Sequence, residues 1–263
     1  MTTQALVLAD SATMLRRNLR RMRRYPSLTL FIAGIPVVLL LLFVYVFGGT
    51  LGAGLGASAG GRTEYLAYVL PGILLITVAG ASQGTAISVA MDMTTGIIAR
   101  FRTMDIARVS VLTGHVIGSV IQTMLALGVV MAVAVAMGFR STTGPIEWLA
   151  ASGLLMLAAL AISWLSVALG MASGSVETAS NLPMFLVFMP FLSSGFVPTE
   201  SMPPGLSWFA ENQPFTPLIE AVRSLLVGTP MGDNGILAVA WCGVITFGGY
   251  LWARRLYDRE PTA

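Results

Sequence analysis

Ser82, Gln83, Thr85 and Ser88 fall in one apolar stretch of the chain, Ser119, Gln122 and Thr123 in a second, and Asn181 in a third. Such groups can hydrogen-bond a passing solute or a neighbouring helix; between helices in a membrane each bond is worth about 0.6 kcal/mol. Gln83 and Asn181 are the candidates for facing a substrate path, with Phe185 and Phe188 as apolar contacts beside them. Helix-to-helix bonding is the competing reading for each polar residue. Covalent chemistry in a membrane needs facing acids, clustered histidines or an activated nucleophile. Here the acids are sparse and mostly fall at helix ends. Asp92 and Glu177 are expected near cytoplasmic ends, solvated or paired with Arg100 or Arg102, with a proton relay as the alternative. His115 is the single histidine, so no metal site is expected. All fifteen basic residues are arginine. Without lysine the chain has no P-loop amine, no Schiff base and no serine–lysine dyad. Any linked ATP hydrolysis therefore belongs to another polypeptide.

The elements that carry these groups follow from composition. The 263 residues are 56% hydrophobic and only 10% charged, and the mean hydropathy is +0.81. Soluble domains carry about 25% charged residues, so the chain belongs in a bilayer. A hydrocarbon core about 30 Å thick needs roughly 20 apolar residues per helix. Six stretches meet that requirement: 27–48, 66–91, 108–138, 146–172, 176–197 and 232–253. Between the fourth and fifth stands only the polar turn "ASGSVET" (172–178). With both ends cytoplasmic, the inner side holds all the arginines except Arg62, Arg140 and Arg223, as the positive-inside rule requires. The first apolar stretch is longer than a signal-peptide core and lacks a clear cleavage site, so it reads as a retained helix. Cys242 has no cysteine to pair with.

Three segments outside the spans have their own patterns. Residues 4–25 place Leu8, Leu15, Leu19 and Met22 on one helical face, with Arg16, Arg17, Arg20 and Arg21 around the remainder. That is an interfacial helix, its guanidinium groups among lipid headgroups. Residues 193–228 are rich in proline, and the apolar part after Pro214 is too short and too charged to cross. A short hairpin dipping into the outer leaflet is expected, with Trp208 and Phe209 at the interface; an ordinary outer loop is the alternative. Glu220 and Arg223 stand one helical turn apart and can pair for a few tenths of a kcal/mol. The third is "TTGIIARFRTMDIAR" (94–108), where Ile97, Phe101 and Met104 cluster on one face and Arg100 and Arg102 flank them. Such a helix rests on lipid as a plain connector, or inserts into a cytosolic motor as a coupling helix.

Residues 68–73 ("YVLPGI"), 91–120 and 191–228 ("FLSSGFVPTESMPPGLSWFAENQPFTPLIEAVRSLLVG") together resemble the type-2 ATP-binding-cassette permeases, in particular the daunorubicin/doxorubicin-resistance subfamily. The likeness covers nearly the whole chain and is most specific over 191–228. Asp105 departs from it, standing where the family pattern has proline. The resemblance implies an all-α polytopic membrane protein, a single domain over 1–263. Its parts would be six transmembrane helices, an N-terminal interfacial connecting helix (4–25), a cytoplasmic coupling helix (95–104) and an outer re-entrant helical hairpin (199–228). It further implies an exporter of amphipathic drugs, antibiotics or lipid-like compounds, not an enzyme by itself. Two permease subunits, alike or different, would join two cytosolic ATPases that hold the ATP and magnesium. Coupling contacts would come from Ile97, Arg100, Phe101, Arg102 and Met104. Export of a cell-envelope glycolipid or polysaccharide is the rival cargo; a proton-driven carrier or an intramembrane enzyme is the rival class. A plasma-membrane location follows, with no nucleic-acid partner.

Overall fold

The computed structural model describes residues 26–49, 61–95 and 108–258, with side chains from 32 in the first stretch and from 112 in the third. The connecting helix 4–25, most of the loop 48–61 and the coupling helix 95–104, apart from Thr95, lie outside the described residues.

The described residues form helices and connecting turns. Helix α1 spans Pro26–Leu41 and runs on as a π-helical turn, Leu42–Phe47. Helix α2 spans Arg62–Thr94, α3 Arg108–Ala136 and α4 Pro145–Ala172. Helices α2, α4, the Leu112–Ala136 part of α3 and the last helix, α9 (Asn234–Asp258), are each long and apolar enough to cross a membrane. Two shorter apolar runs, Ile32–Phe47 and Val176–Leu192, stand beside them. The described residues are accordingly all helices and turns, as in a multi-pass membrane protein.

The fifth apolar stretch differs from the continuous helix expected over 176–197. It is broken into α5 (Val176–Asn181), α6 (Met184–Phe188) and a 3₁₀ turn, Met189–Leu192. The breaks fall at Pro183 and Pro190, which have no N–H to continue the ladder. The polar turn before α5 supplies its cap: the Thr178 N–H donates to Ser175 Oγ at 3.1 Å. Beyond the 3₁₀ turn come α7 (Pro204–Asn212) and α8 (Phe215–Val227).

Helices α2 and α4 form the centre, 83% and 78% buried over their most apolar windows, against 22% for α9. Helix α9 lies along α4, α3 packs on both α2 and α4, and α1 packs on α2 and α3. The interior divides into two apolar blocks. The larger spans Tyr65 to Ala79 of α2, the middle of α4 and the buried face of α8. The smaller joins Val89, Leu112, Val116, Trp164, Val167, Met171 and Tyr257. Between the blocks is a seam of hydroxyls. Ser163 Oγ donates to Ser119 Oγ at 2.9 Å, and the Thr85 and Ser119 hydroxyls meet at 2.6 Å, so one residue of α3 bonds both central helices.

Close approach explains one glycine of each kind. A Cβ on Gly170 of α4 would stand 2.5 Å from the Ala86 carbonyl oxygen of α2, whereas around Gly84 the same atom would meet open space. Gly170→Val must therefore push the two central helices apart, at a cost of about 1–3 kcal/mol. The expected outcome is a lower thermal unfolding midpoint in detergent for Gly170→Val and an unchanged one for Gly84→Ala.

Candidate functional site

Functional groups gather at three places: the junction of α5 and α6 beside α2, the end of the bundle holding α8, and the opposite end where α2 finishes and α3 begins.

At the first, the Gln83 amide donates to the Ser180 carbonyl at 3.0 Å. Ser180 lies in the last turn of α5, where carbonyls lose their i+4 partners. Gln83 thus satisfies an acceptor that the break at Pro183 leaves over. Asn181, Phe185 and Phe188 recur on one face of α5–α6 and are exposed, the two rings about half so. Beside them a strip of α2 is open too: Gly84 and Met91 are exposed, and Gly80, Gln83, Ile87 and Ser88 partly so. The residues expected along a substrate path therefore lie on neighbouring elements, with Gln83 in a helix-to-helix bond. Glu177 is exposed in the first turn of α5.

At the α8 end, the sequence suggests only a weak Glu220–Arg223 pair. The structure makes Arg223 a buried clamp, 7% exposed. Its Nη1 donates to Glu220 Oε1. Nη2 donates to the Ser194 carbonyl at 2.8 Å and the Tyr68 carbonyl at 3.2 Å. The guanidinium carbon lies 4.1 Å from the centroid of the Tyr68 ring, a cation–π contact, and the Tyr68 hydroxyl donates to the same Ser194 carbonyl at 3.1 Å. Helix α8 is thereby pinned to α2 and to the chain leaving the broken fifth stretch. Gly72 and Gly195 allow that closeness, since a Cβ on Gly72 would stand 2.9 Å from the Gly195 carbonyl oxygen.

Both ends of α8 are held as well. Before it, the Gln213 amide donates to the carbonyls of Met189 (3.0 Å) and Leu192 (2.7 Å). At its end, three successive hydroxyls of the α3–α4 loop cap three successive carbonyls. Ser141 donates to Leu226 at 2.7 Å, Thr142 to Val227 at 2.6 Å and Thr143 to Leu225 at 2.7 Å. Gly228 closes the helix in the left-handed conformation, φ 82°. The run Ser141-Thr142-Thr143 between two apolar stretches is the sequence signal that pattern reading passed over. Trp208 of α7 is exposed, as its amphipathic ring suits at an interface.

At the opposite end, Asp92 does not lie in solvent as expected for a helix-end acid. It is buried, and His115 Nε2 of α3 donates to its Oδ2 at 3.1 Å. Arg16, Arg17, Arg20, Arg21, Ile97, Arg100, Phe101, Arg102 and Met104 lie outside the described residues.

Removing Arg223 takes one donor from the Ser194 and Tyr68 carbonyls and the guanidinium partner from Glu220, while the Tyr68 hydroxyl still reaches Ser194. At about 1.5–3 kcal/mol per charge-assisted bond, Arg223→Met should destabilise the chain clearly, and Arg223→Lys less. Thermal unfolding in detergent checks the order.

Comparison with known sequences agrees with this architecture. The profile of the ABC-2 type transporter family matches residues 11–227. The chain is 28% identical over 244 residues to the daunorubicin resistance ABC transporter permease protein DrrB1 of Streptomyces coeruleorubidus, covering 92% of this chain and 84% of that protein. It is 25% identical over 173 residues to the probable doxorubicin resistance ABC transporter permease protein DrrC of Mycobacterium tuberculosis, covering 66% of this chain and 63% of that protein.

Proposed function

The chain belongs to the ABC-2 type transporter family, and from that premise we propose that it is the membrane permease of an ATP-driven drug exporter. The observation that carries this reading is the similarity to a drug-resistance permease over 92% of the chain. The cargo is an amphipathic drug of the anthracycline kind, or a lipid-like compound of similar shape. ATP and magnesium bind a separate cytosolic subunit, since this chain has no lysine for a phosphate-binding loop. Two permease subunits enclose the path, and the chain itself does no covalent chemistry.

In this reading all six apolar stretches cross the membrane. The run Val176–Leu192 is the weakest, about 25 Å long if fully helical, against a core of about 30 Å. The chain after it, 193–228, completes the depth and returns as the α7–α8 hairpin at the outer side. The contacts of α8 with Tyr68, the 141–143 loop and the approach to α9 all lie at one end of the bundle, which supports that placement. Both termini face the cytoplasm of a bacterial cell across its plasma membrane, an orientation that the arginine distribution supports. Movement is a population shift: ATP binding in the motor favours one state of the paired permeases over the other. Contacts of 95–104 with the motor, through Ile97, Arg100, Phe101, Arg102 and Met104, carry that difference, and residues 4–25 lie between lipid and motor.

Reconstitution with a candidate ABC ATPase partner tests the reading. Drug uptake into inverted vesicles should require ATP and survive a protonophore; uptake that follows the proton gradient would instead mark a carrier. In the same vesicles Phe101→Ala with Arg102→Glu should uncouple hydrolysis from uptake while leaving insertion intact. Normal uptake by that double variant would remove the coupling role.

A further inference from the structure

Two ionisable side chains meet inside the bundle at a position the transport reading does not use. Asp92 stands two residues before Thr94, the end of α2, and His115 two turns into α3. Each is 6% exposed, and the bond between Nε2 and Oδ2 is 3.1 Å. Burying such a pair is seldom the cheapest way to join two helices. Its desolvation cost offsets most of the attraction, and apolar side chains of similar volume commonly hold as well or better. Ionisable residues within membrane helices accordingly tend to mark working parts.

The position shows what this pair can do. Between α2 and α3 runs the segment 95–107, whose part 95–104 the proposed function makes the contact with the motor; the present inference rests on that reading. A force applied to this segment reaches the bundle through two helix ends. Unjoined, the ends could respond separately, and a displacement could dissipate by bending one helix. The Asp92–His115 bond joins them beside the segment. One turn further along α3, Ser119 bonds Thr85 of α2 at 2.6 Å, so the two helices are fastened twice on the same face. Ser163 extends that second fastening into α4. Around these bonds the smaller apolar block packs Val89 of α2 and Leu112 and Val116 of α3 against Trp164, Val167 and Met171 of α4.

We propose that Asp92 and His115 form a coupling strut, a positioning pair that makes α2 and α3 answer the motor as one body. The strut touches neither cargo nor nucleotide.

The test uses the full transporter, permease with its ATPase, in vesicles, and reads drug moved per ATP hydrolysed. Asp92→Leu and His115→Leu should each lower that ratio about tenfold, within the usual range of coupling free energies, while basal hydrolysis and subunit assembly persist. The exchanged pair, Asp92→His with His115→Asp, should recover the ratio to within about twofold of the unaltered protein, as a restored contact should. A second variant guards against loss of fold. Asp92→Cys with His115→Cys, in a Cys242→Ala background, should be uncoupled as made, coupled after bridging with a short reducible bifunctional thiol reagent, and uncoupled again on reduction. Full coupling in the single leucine variants, or no gain on bridging, would overturn the strut. If the unaltered transporter moves drug without ATP, the reading as a permease fails and takes the strut with it. ATP-driven transport that is indifferent to all these changes overturns the strut alone.

Discussion

A carbonyl oxygen in hydrocarbon has only the protein to bond with, and this constraint accounts for most of the polar chemistry seen here. Continuous helices meet it internally. The broken fifth stretch cannot, because Pro183 and Pro190 interrupt its ladder. The structure answers with long side chains from elsewhere: Gln83 to Ser180, Gln213 to Met189 and Leu192, and Arg223 to Ser194. The same solution closes α8, whose last carbonyls accept from three consecutive hydroxyls of the 141–143 loop. Each of these bonds also joins two elements, so meeting the constraint assembles the bundle.

The consequence for function is a molecule fastened differently at its two ends. At the α8 end, Arg223, Gln213 and the hydroxyl cap bind the short helices to α2, to the fifth stretch and to the α3–α4 loop. At the other end, the joining contacts among the described residues include the Asp92–His115 bond and a smaller apolar block. The hydroxyl seam of Thr85, Ser119 and Ser163 separates that block from the main core. A seam of this kind keeps three helices in register. That suits a subunit whose work is done by a motor outside it.

Much of this was legible in the residues. Shortage of charge, absence of lysine and apolar runs of spanning length fix an all-helical membrane chain, and the 191–228 pattern points to the family. The polar turn 172–178, visible in the residues, lies where α5 takes its cap from Ser175. The break inside 176–197 was not foreseen, because hydropathy counts apolar side chains and is blind to the missing N–H of a proline. The weight of Arg223 was missed for a related reason. Spacing reveals its neighbour Glu220, three residues away, but not the carbonyls of Ser194 and Tyr68, brought to it only by the fold. Asp92 near a helix end looked solvated; its partner His115, twenty-three residues on, needs the third dimension to be found.

The central claim is that side chains from other elements satisfy the carbonyls left over by the broken fifth stretch and so hold it in place. Backbone amide hydrogen exchange in lipid nanodiscs tests this most directly, comparing the unaltered chain with Gln213→Leu. Faster exchange confined to residues 186–195 and the start of α8, with α4 and α9 unchanged, is the predicted result. Equal protection of 186–195 in both proteins would contradict it.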